Sequence, residues 1–192
     1  MYSQGLLGRG MPPPQRKYHK VFFSFHYDED IWRVGQVRNA GMIPGVEEAG
    51  FLDAAAWESL RRTGDVAVRS WIDSQLDGTS VTAVLIGSGT YGRPYVEYEI
   101  LSSVNRGNGL LGIYIDQCED QSQRISMRGQ SPFLRFRARD LTTGKGFLPF
   151  SPISEFLHGS LDAQVAKYCW KANRGFQNLG DWIDVAAKQV GK

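Results

Sequence analysis

An α/β fold with a central parallel sheet covered by helices on both faces is predicted by three observations. Strand-like runs alternate with helical patterns along much of the chain, the order expected of βαβ units. The runs Lys20-Val21-Phe22-Phe23-Ser24-Phe25, Val81-Thr82-Ala83-Val84-Leu85-Ile86 and Leu110-Leu111-Gly112-Ile113-Tyr114-Ile115 are apolar almost throughout, as strands buried on both faces should be. The 192 residues, 42% of them hydrophobic, suit one domain with a substantial core. A flavodoxin-like three-layer sandwich is the natural expectation for such a chain.

Residues 1–19 read as a disordered tail, since Gly, Pro and Gln are frequent there and large apolar residues few. A single domain over 20–192 follows. His26-Tyr27-Asp28 forms the loop above the first strand, and Asp28 caps a helix from about Glu29 to Arg38 with Ile31, Val34 and Val37 on one face. Between Asn39 and Gly64, either Met42-Ile43 or Gly50-Phe51 supplies a brief second strand. A short helix capped by Asp53 then turns Trp57 and Leu60 inward. Asp65 to Leu76 is a clearer helix, with Val68, Ile72 and Leu76 at four-residue spacing and Gly78 as its stop.

The strand over 81–86 leads into Gly87-Ser88-Gly89-Thr90-Tyr91-Gly92, and Pro94 opens the helix that carries Glu97 and Glu99 toward Val104. After the strand over 110–115 the pattern weakens. Residues 116–174, with pieces such as Phe147-Leu148-Pro149-Phe150, read as an irregular extension holding at most a hairpin. A last helix, capped by Asn178, sets Leu179, Trp182, Ile183, Ala186 and Val190 on one face.

Composition excludes several function classes. Lys plus Arg is 22 against 20 acidic residues, a net charge of +2 that gives no electrostatic reason to expect nucleic acid or a membrane surface. There is no apolar run of membrane-spanning length and no signal-peptide core, so a cytoplasmic location is expected. Cys118 and Cys169 read as free thiols, and His19, His26 and His158 are too scattered for a metal site.

The stretch Val81–Arg106 places a glycine loop and a carboxylate at the carboxyl edge of a sheet, where open α/β proteins bind ligands. Gly87, Gly89 and Gly92 spell the dinucleotide fingerprint, and Asp116 stands 24 residues past Gly92 as its acid. Against that reading, a fingerprint normally belongs to the first βα unit, and here a strand precedes it by some 60 residues. Glu97 and Glu99 lie about 160° apart on a helix, so they cannot act as a close pair. Val96, Ile100 and Val104 form the buried stripe; Glu99 flanks it, on the side of Tyr91 and Tyr95.

Val21-Phe22-Phe23-Ser24-Phe25, Arg38-Asn39, Phe51-Leu52-Asp53-Ala54 with Trp57-Glu58, and Val84-Leu85-Ile86-Gly87-Ser88 through Tyr95-Val96-Glu97-Tyr98-Glu99-Ile100 together resemble the TIR-like proteins of bacterial Thoeris anti-phage systems. The resemblance is closest over 20–115. It implies a flavodoxin-like fold and an enzyme that breaks the nicotinamide–ribose bond of NAD, with NAD as substrate and no further cofactor. The family's catalytic glutamate follows an aromatic residue by four positions, which assigns the role to Glu99 after Tyr95; many relatives have Trp and Cys where this chain has Tyr95 and Val96. The resemblance further implies a cyclic ADP-ribose-type signal that activates a separate effector protein, and self-association of the chain.

Departure of nicotinamide leaves positive charge on the ribose, which a fixed anion stabilises more than it does the ground state. Phe25 and His26 are candidates for the adenine or nicotinamide end, although a rim aromatic packing on its own loop is an equal reading. Asn39 and Asp53 match family positions, while as plain sequence they are a turn residue and a helix cap. Ser88 and Tyr91 face the expected site from the glycine loop, and Arg33 and Arg93 are candidates for phosphates. Two alternatives stand beside the NAD-cleaving enzyme: a non-catalytic TIR scaffold acting by homotypic assembly, and a Rossmann-type NAD oxidoreductase.

Overall fold

A computed structural model of the protein describes residues 18–39, 46–136 and 160–192. In chain order the elements are β1 (His19–Ser24), α1 (Tyr27–Asn39), β2 (Val46–Ala49), α2 (Ala54–Arg62), α3 (Asp65–Leu76), β3 (Val81–Ile86), α4 (Pro94–Asn105) and β4 (Gly109–Tyr114). A 3-10 turn, η1 (Pro132–Arg135), follows, then α5 (Leu161–Gln164), β5 (Ala166–Cys169) and α6 (Gly175–Gln189).

The five strands are all parallel and lie in the order β2-β1-β3-β4-β5. This is the flavodoxin-like order, and chain direction across the sheet reverses between β1 and β3. β3 and β4 are buried along their whole length, which is why no hydrophobic alternation marks them. One face is covered by α1 and α6, whose Val34, Val37, Leu179 and Ile183 pack with Val21, Phe23, Ala83, Leu85 and Ile113. The other is covered by α3 and α4, with Ile72, Leu76, Val96 and Ile100 meeting Phe22, Val84 and Ile86. Each such aliphatic side chain contributes about 1.5–3 kcal/mol on full burial. α6 approaches β4 so closely that a β-carbon on Gly109 would overlap the Ala186 carbonyl.

The sequence reading departs from this fold in several places, one of them Val190, expected on the face of the last helix but placed at the C-cap of α6 and exposed. β2 falls between the two pieces expected to supply it: Met42-Ile43 lies outside the described residues, and Gly50-Phe51 only follows the strand, with Gly50 at φ 90°. Val-Glu-Glu-Ala carries little apolar signal because an edge strand is sealed on one side only. α1 begins at Tyr27, so Asp28 lies in its first turn rather than capping it. Asn178 lies inside α6, which starts three residues earlier behind Arg174 (φ 52°), and its side chain donates to the Asn173 carbonyl at 2.8 Å. β5, within the stretch expected to be irregular, is a parallel edge strand on β4, not part of a hairpin. His19, expected in the tail, is buried in β1; residues 1–17 and 137–159, which include Phe147–Phe150, lie outside the described residues. Among the described residues no helix is long and apolar enough to cross a membrane.

Candidate active site

α4 begins with Pro94 in its first turn, after Gly92 at φ 74° has turned the chain away from the sheet. Val96 and Ile100 anchor the helix on the strands, and Glu99, beside them, is carried inward to 6% exposure. Its Oε2 accepts a hydrogen bond of 2.6 Å from Oγ of Ser24, the last residue of β1. Burial pushes the Glu99 carboxyl up to about 8, and the Ser24 hydroxyl pulls in the opposite direction. Glu97 has a different setting. Its Oε1 accepts a 2.7 Å hydrogen bond from Arg135 Nε, an ion pair that ties η1 to α4. Of the two glutamates, Glu99 alone is a buried acid without a cation against it.

A wall of rings runs from β1 to the first turn of α4. Phe25 stacks on Tyr27 at 5.2 Å between centroids, Tyr27 on Trp57 at 5.0 Å, and Trp57 meets Tyr95 edge-on at 5.9 Å. Tyr27 also donates its hydroxyl to the Leu52 carbonyl, and Tyr95 donates to Asp65 Oδ1 at 2.6 Å. The structure thus brings Phe25 and Tyr95 into one aromatic surface through two residues, Tyr27 and Trp57, that the spacing left in a loop and in the core. Tyr91 is half-buried with the Arg135 guanidinium 5.8 Å from its ring centre, and Ser88 is exposed on the glycine loop.

The remaining expected site residues spread out. Asp53 caps α2, its Oδ1 accepting from the Ala56 amide at 2.8 Å. Asn39 is the last residue of the 13-residue α1, about 18 Å along the axis from that helix's first turn, and its side chain is outside the described residues. His26 is mostly buried, with Nδ1 3.8 Å from Glu29 and lacking a hydrogen-bond partner. Burial, and then the nearby Arg93, hold its pKa below the ordinary imidazole value. Arg33 is buried and committed to the loop after β4, donating to the Cys118 and Arg124 carbonyls at 3.1 and 3.2 Å. Arg93 is half-exposed and donates to the Gly89 carbonyl at 2.8 Å.

Two participants escaped the sequence reading. Ser24 is the lone hydroxyl in Val-Phe-Phe-Ser-Phe, a signal that a polar partner waits on that face. Asp30 falls on the same buried stripe as Val34 and Val37, at four and seven residues' spacing, and is fully buried. It packs against Gly87, where a β-carbon would overlap its carboxyl, and accepts from Thr90 Oγ1 at 3.4 Å. Burial raises its carboxyl to about 6, against the pull of Arg33. The acid that a dinucleotide fingerprint would use, Asp116, is also buried and accepts from Gln117 Nε2 at 3.1 Å. Among the described residues no group of three or more His, Cys, Asp or Glu side chains could hold a metal ion.

The family model described as "Thoeris protein ThsB, TIR-like domain" matches residues 22–120. The chain is also similar to "Putative cyclic ADP-D-ribose synthase ThsB1" of Bacillus cereus (strain MSX-D12), with 34% identity over 189 residues that cover 86% of this chain and 98% of that protein.

Proposed function

Because the chain belongs to the TIR-like domain family of Thoeris ThsB proteins, we propose that it cleaves the nicotinamide–ribose bond of NAD, with Glu99 as the catalytic carboxylate, and converts the remainder to a cyclic ADP-ribose-type signal. The observation that carries this reading is the Glu99–Ser24 pair: a buried acid at the crevice end of β1, free of the ion pair that neutralises Glu97. The name of the Bacillus relative supports the cyclic product.

Bond breaking moves positive charge from the pyridinium onto the ribose ring. An anion near the ribose attracts that charge most in the transition state, where it is least shielded by the departing base. In an apolar site this attraction is stronger than in water. The cationic nicotinamide is a good leaving group, so no strong general acid is needed. The aromatic wall of Phe25, Tyr27, Trp57 and Tyr95 offers flat surfaces to the bases. If the adenosine half folds back, its own nucleophile competes with water at a much higher effective concentration. The product then activates a separate effector, and self-association assembles the working form.

The test is to incubate the protein with NAD, alone and at high concentration, and to resolve products by chromatography with mass detection. Free nicotinamide together with an ADP-ribose isomer is expected. Glu99→Gln should lower nicotinamide release by about 10²-fold or more, while Glu97→Gln should keep most of it. The opposite ranking would move the catalytic role to Glu97 and overturn the assignment.

A further inference from the structure

We propose that the Glu29 carboxylate is a tethered occupant of the seat for the substrate's pyrophosphate, formed by Gly89, Arg93 and His26, and that it must leave before the dinucleotide can settle. The inference rests on the NAD-cleaving reading and adds to it an internal competitor. The crevice where strand order reverses is bounded by the 25–26 loop after β1 and the 87–93 loop after β3. Glu29, in the first turn of α1, reaches across it. Its Oε1 lies 3.4 Å from Arg93 Nη2 and its Oε2 3.8 Å from His26 Nδ1. Its Oε2 rests on Gly89 so closely that a β-carbon there would overlap it. An anion therefore already lies on the bare face of the glycine loop.

The groups around it have the properties of an anion seat. Arg93 is oriented in advance, since its Nε donates to the carbonyl of the same Gly89. His26 Nδ1 is buried and has no hydrogen-bond partner, and Glu29 is too far away to supply one. The Glu29–Arg93 pair is half-exposed and long, so it is weakly held and exchangeable. A pyrophosphate brings more charge and more acceptor oxygens than one carboxylate, enough to engage the guanidinium and the imidazole together. Asp28 lies 3.9 Å from His26 Nε2, and Asp30 sits against Gly87, engaged by Thr90 and Arg33. These two acids oppose an incoming anion as well, which makes Glu29 the one whose removal frees space and charge at the same point.

Inorganic pyrophosphate titrated calorimetrically into the full chain tests this directly, without turnover. At low salt, Glu29→Gln should bind pyrophosphate at least about five-fold more tightly than the wild type, and Glu29→Ala should show the same gain by a different shape. Adding Arg93→Ala to Glu29→Gln should cancel it, and KM for NAD should fall in Glu29→Gln alongside the pyrophosphate Kd. Thermal melts by circular dichroism establish that each variant folds. If both Glu29 variants bind pyrophosphate no better than the wild type, or if the gain survives loss of Arg93, the inference is overturned while nicotinamide release stands unaffected. Absence of nicotinamide release from every protein would instead remove the NAD-cleaving reading, and the titration would still report on the seat.

Discussion

An acid held near pH 8 by its surroundings sets the conditions under which Glu99 can be an anion. In the empty site the neutral form predominates at neutral pH, and a bound pyridinium within a few ångströms favours the charged form. With Glu99 as the proposed catalytic carboxylate, kcat/KM for NAD should therefore climb by close to tenfold per pH unit below about 8 and level off above it. The Ser24 hydrogen bond favours the carboxylate, so Ser24→Ala should move the rise to higher pH, and Ser24→Thr should restore it. Nicotinamide release followed across the range decides the matter: a shift to lower pH in Ser24→Ala would contradict the role given to that hydroxyl. The burial of Glu99 was legible from its place beside the Val96, Ile100 stripe, while its role came from the family pattern alone. Ser24 and Asp30 were not singled out, since each partner becomes visible only when strands 60 or more residues apart are aligned.

Elements dock here through small residues as much as through large ones. Gly109 lets the backbone of α6 rest on β4, and the atom its missing β-carbon would strike is a main-chain carbonyl that no rotamer change can move aside. Gly109→Ala should cost about 1–3 kcal/mol, read as a lower midpoint in urea at unchanged slope. A variant as stable as the wild type would show that α6 can shift outward freely. Four-residue spacing found α3 to the residue and an unbroken apolar run found β3, because burial fixes one face of the helix and both faces of the strand. β2 and β5 have four residues each and pair on one side only, so half of what they present is polar and their sequences look like loops. α4 was found from its proline and stripe, and α6 was placed late because Asn178 resembles a cap while Arg174 supplies the turn without side-chain help.

At the level of the whole molecule, the role proposed for Glu99 and the stability of the fold oppose each other. The folded state holds the Glu99 proton up to about pH 8 against an ordinary carboxylate value of 4.5. Between those limits the folded chain binds more protons than the unfolded one, so stability falls as pH rises through the window. Asp30, raised to about 6, adds to the decline over the lower part of it. Glu99→Gln removes the larger contribution. It should match the wild type near pH 5 and melt above it at pH 8, by about 2–4 °C for each kcal/mol recovered. Parallel melting curves across pH would show that the carboxyl is already charged in the fold. Alternation and size led to the flavodoxin-like sheet, whereas its two edge strands went unread and the crevice takes shape only once β1 and β3 pair. The acid, its hydroxyl partner and the ring wall all come from residues 24–99, while α6, which seals the opposite face of the same sheet, comes from 175–189. A ribosome thus delivers the half of the chain that carries the candidate site well ahead of α6. Until the late helix emerges, α1 alone backs Val21 and Ala83, so the sheet beneath the acid is only half covered while the side chains of the candidate site are already made.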